Sequence, residues 1–181
     1  MTITLPVREN LELRTLTPSD AQTLFDVTKK NDAYLRKWLP WLDDDKTVVD
    51  TENYIKGSNE RLSKDEGIDL SIWYEGELVG GIGVFPLDLT HKKTSLAYWL
   101  AEEFQGKGIM SDSLKVAIEY LFTEKKLNRI EVCCAIGNEK SSALPKKLGF
   151  VFEGISRQSE WLYNHFVDME VYSLLAAEWR A

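Results

Sequence analysis

The sequence predicts an α/β chain of the α+β kind, a mixed and mostly antiparallel central sheet flanked by helices. Three observations predict it. Asp69 to Tyr74 and Leu78 to Val84 are apolar runs joined by the Glu75-Gly76 turn, which reads as a hairpin. Ser95 to Leu100 leads through a glycine-rich turn into Leu114, Ala117, Ile118, Leu121 and Phe122, spaced i, i+3, i+4, i+7, i+8, which is one helix face. The last third holds three strand-like runs and only one short helical one, so most strand neighbours must run antiparallel.

Each element has a local reason. Leu11, Leu13 and Thr15 alternate with Glu12 and Arg14, a first strand. Thr17-Pro18-Ser19-Asp20 starts a helix towards Lys30, with Thr17 a candidate cap and Pro18 in the first turn. A second helical piece near Tyr34, Leu35 and Trp38 stops at Pro40, and Asp50-Thr51 opens another through Tyr54, Ile55 and Leu62. Gly80, Gly81 and Gly83 suggest a bulge or a close approach in the second hairpin strand. Arg129 to Ile136 is rich in β-branched and small apolar residues and reads as a strand. Glu139 to Leu148 is a short helix ended by Gly149. Phe150 to Gly154 and Val167 to Leu175 are the last strands, with Glu160 to His165 in the loop between them.

At 181 residues the chain is read as one domain, 1–181. Its 44% hydrophobic and 28% charged content is that of a soluble globular protein. A net charge of −7 disfavours binding to a nucleic-acid backbone, which needs clustered Lys and Arg. No apolar run approaches ~20 residues, so no membrane span is expected, and the N-terminus lacks a basic start and a long apolar core. Cys133 and Cys134 have neither metal-ligand nor redox-pair spacing. They are expected to be buried apolar thiols in a reducing cytosol, so the chain is placed in the cytoplasm and no metal is called.

The most informative stretch is Phe104-Gln105-Gly106-Lys107-Gly108-Ile109-Met110-Ser111. Glycines let the backbone pass close to a bound group, and the first free N–H groups of the following helix favour an anion. A pyrophosphate is the natural occupant; a tight turn without a ligand is the alternative. The Walker pattern fails, because Lys107 is followed by Gly108 rather than Ser or Thr. A dinucleotide fingerprint fails as well, because no parallel βαβ run with a terminal acid follows cleanly.

With these residues in place the chain resembles the GCN5-related N-acetyltransferase (GNAT) superfamily over nearly its whole length. That family's acetyl-CoA signature is Gln/Arg-x-x-Gly-x-Gly/Ala. Gln105-Gly106-Lys107-Gly108-Ile109-Met110 is similar to it, except that Met110 replaces the small residue and must turn its side chain away. Asn138-Glu139-Lys140-Ser141 with Leu148-Gly149-Phe150 is similar to the family's Asn-x-x-Ser … Leu-Gly-Phe run. Trp38-Leu39-Pro40-Trp41, Tyr98-Trp99-Leu100, the stretch Glu160-Trp161-Leu162 and Tyr172-Ser173-Leu174-Leu175 point to the RimJ/RimL branch, whose best-known members acetylate N-termini of ribosomal proteins.

The resemblance implies a sheet that splays between strands four and five and an acetyl-CoA co-substrate without a metal. It implies direct transfer to a primary amine, foremost the N-terminal amine of a ribosomal protein. The alternatives are a small amine such as a polyamine, amino acid or antibiotic, or a CoA-binding module without turnover. Cofactor contacts are implied for Trp99, Leu100, Gln105, Gly106, Lys107, Gly108, Ile109, Met110, Ser111, Asn138 and Ser141. Asn138 also reads as a plain helix cap and Ser141 as a first-turn serine. Ser141 is the implied proton donor to the departing thiolate. Glu160 is the implied base, its pKa raised if Trp161 buries it; an exposed loop carboxylate is the alternative. Trp38 and Trp41 fall where the family roofs its acceptor groove, or serve as core, or pack against a second subunit, so a homodimer is compatible. His91 and His165 carry no further mark.

Overall fold

The computed structural model describes residues 2–180. Its centre is an eight-stranded sheet in the order β1-β2-β3-β4-β5-β6-β8-β7. The strands are β1 (Thr4–Arg8), β2 (Leu11–Arg14), β3 (Ile68–Tyr74), β4 (Glu77–Val84), β5 (Lys93–Leu100), β6 (Arg129–Ala135), β7 (Val151–Leu162) and β8 (His165–Leu175). Every neighbouring pair is antiparallel except β5–β6. The exception follows from the chain path. β5 reaches β6 through a long helix, α4 (Ile109–Thr123), and parallel neighbours need such a crossover. The mostly antiparallel mixed sheet expected from the sequence is therefore the sheet that forms.

Strand β1 was not expected. Pro6 lies inside it and argues against a strand within a sheet, but β1 is an edge strand, where a missing N–H costs no ladder bond. Counting it, the opening expected between strands four and five lies between β5 and β6.

Helices α1 (Ala21–Lys30), α2 (Asp32–Leu35) and α3 (Val48–Ser63) precede the hairpin, and α5 (Glu139–Lys147) follows β6. Thr17 stands before a 3-10 turn that leads into α1; its N–H and hydroxyl donate to the Asp20 carboxylate at 2.8 and 2.7 Å. α3 starts earlier than Asp50-Thr51. Thr47 is its cap, and Asp50, third in the helix, accepts from the Thr47 N–H at 2.8 Å. An aspartate standing in for the usual Glu or Gln of a capping box hid that start.

The largest correction concerns Glu160. It lies on β7, paired with Val167 of β8, and not in a loop. The polar run Ser156 to Ser159 looks like a loop in sequence. In the structure the register shifts between Ser156 and Glu160, Gln158 adopts φ +50°, and its N–H donates to Asp168 Oδ1 at 2.7 Å. The run is an irregularity inside one long strand.

α4 packs on a core that includes Leu13, Ile72, Ile82, Ile118 and Ile130. A second cluster joins α1 and α3 through Leu24 and Ile55, with Leu78 and Trp73 beneath. Ile72 belongs to the first cluster and Trp73 to the second. Successive strand residues face opposite sides, so helices flank both faces of the sheet. The same alternation separates the cysteines: Cys134 is buried, whereas Cys133 is exposed rather than buried as expected. Only one face of β6 is covered at that level.

Candidate active site

The glycine turn has the backbone geometry that an anion site needs. Gly106 and Gly108 have φ of +75° and +77°, a region that side chains rarely enter. A Cβ at Gly106 would meet no heavy atom within 4 Å, so the face above the loop is open. The first intrahelical bond of α4 runs from Asp112 N–H to Gly108 O at 3.0 Å, which leaves the N–H groups of Ile109, Met110 and Ser111 outside the helical ladder. The Met110 side chain is buried in the main core, so its bulk does not reach the open face. Ser111 is 4% exposed and its hydroxyl has no partner among the described residues. Lys107 is exposed, its Nζ 4.8 Å over the Phe104 ring, and Gln105 accepts a bond from Lys140 Nζ at 2.9 Å. Backbone donors, open space and an unpaired buried hydroxyl fit a pyrophosphate.

Beside this cradle the sheet opens. The β5–β6 register ends at Leu96 and Val132. β5 then follows β4 while β6 follows β8, so Ala97–Leu100 and Cys133–Ala135 diverge. Phe85 N–H bonds Ser95 O, and Ala101 N–H bonds Val79 O. Odd-numbered residues of β5 thus turn their backbone to β4, and the even-numbered Tyr98 and Leu100 turn theirs to the opening. Leu100 turns its backbone to the opening, as a contact with the pantetheine arm would require. Trp99 instead faces β4 and pairs with Gly81, and a Cβ on Gly81 would meet Trp99 Nε1 at 2.9 Å. Gly81 makes room for that indole, whereas Gly80 lets the Leu100 backbone approach and Gly83 makes room for the Phe85 ring.

Across the opening three side chains meet. Ser141 Oγ lies 3.4 Å from Cys134 Sγ and 3.4 Å from Tyr98 Oη. Tyr98 Oη donates to the Ser141 carbonyl at 2.9 Å. Asn138 caps α5, its Oδ1 accepting from Ser141 N–H at 3.3 Å. Burial pushes the Tyr98 phenol and the Cys134 thiol above their ordinary values, so both stay protonated at neutral pH. Glu160 lies on β7, beyond β8 from the opening; burial first, and then the charges of Glu131, Cys134 and Glu160, raise the Cys133 thiol on β6. Burial raises the Glu160 carboxyl above the usual glutamate value. Trp161 is not the cause expected. As the next residue on the strand it faces the other side and packs edge-on to Phe166 at 4.7 Å.

On the far side of β4 and β5 lies a cavity of about 650 Å³. Trp41 and Leu39 roof it, Trp99 and Gly81 line its wall, and Asp69 sits among its buried lining residues. Asp69 accepts from Arg61 Nη2 at 2.7 Å and from Tyr54 Oη at 3.1 Å. Acids dominate the charged lining, with Asp44, Asp45, Asp50 and Glu66 beside Asp69 against Arg61 alone. Trp38 is half-buried and outside this lining. His91 and His165 are exposed, and His165 bonds its neighbour Asn164. Among the described residues no group of three or more His, Cys, Asp or Glu is placed to hold a metal, and no helix is long and apolar enough to cross a membrane.

The structure thus gathers Leu100, Gly106, Gly108, Ile109, Met110, Ser111, Asn138 and Ser141 around one opening, with Trp41 and Trp99 on the cavity side. Sequence reasoning did not single out Tyr98 or the Arg61–Asp69–Tyr54 group, all of which line the cavity. Strand alternation from Ala101 backwards would have turned Tyr98 to the opening; nothing local marks Asp69.

A family profile described as an acetyltransferase (GNAT) domain matches residues 10–151. The chain is 36% identical over 178 residues, 97% of each chain, to the Bacillus subtilis (strain 168) protein YdaF, provisionally named a ribosomal N-acetyltransferase. It is 28% identical over 173 residues to the ribosomal-protein-serine acetyltransferase of Escherichia coli (strain K12), covering 96% of this chain and 97% of that one. Among solved structures it resembles the ribosomal-protein α-N-acetyltransferase RimL in complex with coenzyme A, at a TM-score of 0.92 and 26% identity, over 96% of this chain and 98% of that one.

Proposed function

We propose, for a chain that belongs to the acetyltransferase (GNAT) domain family and to its RimJ/RimL branch, transfer of acetyl from acetyl-CoA to the N-terminal amine of a protein, a ribosomal protein in the first instance. The observation that carries this reading is the opening between β5 and β6. The anion cradle at the start of α4 lies beside it, the Ser141 hydroxyl stands at its edge, Glu160 is near enough to Cys133 of β6 to be felt electrostatically, and the cavity lies behind β4 and β5.

The division of labour follows from chemistry. Acetyl-CoA supplies an activated acyl carbon. The N–H groups of Ile109, Met110 and Ser111 hold the pyrophosphate, and the Leu100 and Tyr98 backbones align the pantetheine arm like an added strand. Asn138, already the cap of α5, fixes where Ser141 stands. An attacking amine must be neutral, and Glu160, with its raised pKa, accepts the amine proton, directly or through water. Ser141 gives its proton to the sulfur as the C–S bond breaks, and solvent returns both groups to their starting states. The Trp41 roof and the cavity take the acceptor's first residues.

The lining acids support a second reading, a small cationic amine in place of a peptide. One experiment addresses both. The enzyme is incubated with acetyl-CoA and a panel of N-terminal peptides and of di- and polyamines, with thiol release and mass spectrometry as readouts. Peptide acetylation at the α-amine is expected. Turnover of amines alone selects the second reading, and no thiol release with any acceptor overturns both.

A further inference from the structure

We infer that Tyr98 is the positioning residue for Ser141, its phenol supplying the hydrogen bond that Pro145 withholds from the Ser141 carbonyl. The inference rests on the proposed proton-donor role of Ser141.

α5 contains a proline in its interior, Pro145. In a regular helix the carbonyl of residue 141 accepts from the N–H of residue 145. Proline has no N–H, and its ring crowds the carbonyl four residues back. The Ser141 carbonyl is therefore deprived of its helical partner by the sequence itself. The Tyr98 hydroxyl donates to this oxygen at 2.9 Å, reaching from β5 across the opening in the sheet. A partly buried carbonyl needs such a partner. The bond ties the first turn of α5 to the strand from which it has diverged.

The same contact sets the serine hydroxyl. With its own proton on the carbonyl, the phenol oxygen keeps lone pairs, and Ser141 Oγ lies 3.4 Å from it and 3.4 Å from Cys134 Sγ. Ser141 Oγ is thereby held between two neighbours at the edge of the opening, where a departing thiolate must be met. Burial keeps the phenol protonated over the working pH range, so the tether does not titrate away. Tyr98 touches no reacting atom in this account; it acts through Ser141.

The test is a mutant cycle read in kcat and KM on the full-length enzyme. Tyr98→Phe should lower kcat roughly ten-fold, because a displaced catalytic group loses its alignment, with KM for acetyl-CoA changed less than about two-fold. In a Pro145→Ala background the new N–H at position 145 takes the carbonyl, and the Tyr98→Phe loss should shrink to under about three-fold. In a Ser141→Ala background Tyr98→Phe should cost little more. Wild-type kcat in Tyr98→Phe overturns the inference, and so does an equal loss in all three backgrounds. Should Tyr98→Phe alone fail to fold, Pro145→Ala must restore a folded enzyme, and failure to do so also overturns it. Full turnover in Ser141→Ala sinks the proton-donor reading and Tyr98 with it. A clear loss in Ser141→Ala beside an unaffected Tyr98→Phe sinks this inference alone.

Discussion

Glu160 is placed where burial penalises its charge, and that has two opposed consequences. A raised pKa makes a better proton acceptor for an ammonium near neutrality. It also makes the ionised folded state less stable, because the folded pKa stands above the unfolded one. The sign is fixed by linkage: the group favours folding below its unfolded pKa, and that benefit is lost as pH rises through the folded value. Glu160→Gln should therefore raise Tm slightly at pH 7 and leave it unchanged in acid, while kcat falls by roughly 10²-fold. The loss should ease at high pH, where more of the acceptor amine is neutral without help. Wild-type turnover across the pH range would end the base assignment. Gly108 poses a separate test. Its φ of +77° excludes a β-branched residue, so Gly108→Val should abolish most acetyl-CoA binding in calorimetry. Lys107→Ala removes one exposed charge and should weaken binding far less; the reverse ranking would remove the helix N-terminus as the phosphate site.

The elements differ in how plainly the sequence announces them, and the differences have physical causes. The hairpin β3–β4 and helix α4 were legible because turn chemistry and apolar period agree there. The glycine cradle and the Asn138–Ser141 turn were legible for the same reason, as residues with one local conformational job. β1 was hidden by Pro6, since edge position is a property of the sheet and not of the segment. β7 was cut short because its polar middle is stabilised by partners on β8, and its outer edge faces solvent. Long-range pairs were invisible altogether. Arg129 on β6 holds Glu153 on β7 at 2.5 Å, and Ser173 on β8 donates to the same carboxylate at 2.7 Å, a strap over three strands. The guanidinium first and the serine second pull the Glu153 carboxyl down to about 2. That depressed value stabilises the fold above the unfolded glutamate range, and the contribution is lost as pH falls towards about 2. The pair is largely exposed, so Glu153→Gln should cost under about 1 kcal/mol at pH 7. The cost should disappear at pH 2 in urea titrations. A loss that persists undiminished in acid would mean packing, not charge, holds the strap.

At the scale of the whole molecule, the segment from Arg36 to Asp43 is locked to the β7–β8 hairpin on the cavity side. The tip of the β7–β8 hairpin carries Tyr163, whose hydroxyl donates to Leu39 O at 2.5 Å. The Arg36 guanidinium lies 4.0 Å above the Tyr163 ring and pairs with Asp43. The segment held in this way is the one that brings Leu39 and Trp41 to the cavity roof, and Glu160 stands three residues before Tyr163 on the same hairpin. The roof over the cavity and the strand bearing Glu160, the proposed base, are thus one mechanical unit, joined by contacts more than a hundred residues apart in sequence. The glycine cradle, on α4, takes no part in it. Tyr163→Phe removes one hydrogen bond to a main-chain carbonyl, worth about 0.5–1.5 kcal/mol, so KM for the acceptor should rise two- to roughly ten-fold. KM for acetyl-CoA should not move. Raising the salt concentration should weaken the exposed Arg36–Asp43 pair and shift the acceptor KM in the same direction, more in the variant than in the wild type. Parallel increases in both KM values would mean that the substitution loosened the fold as a whole. An unchanged acceptor KM would mean that the roof stays in place without its tie to the hairpin.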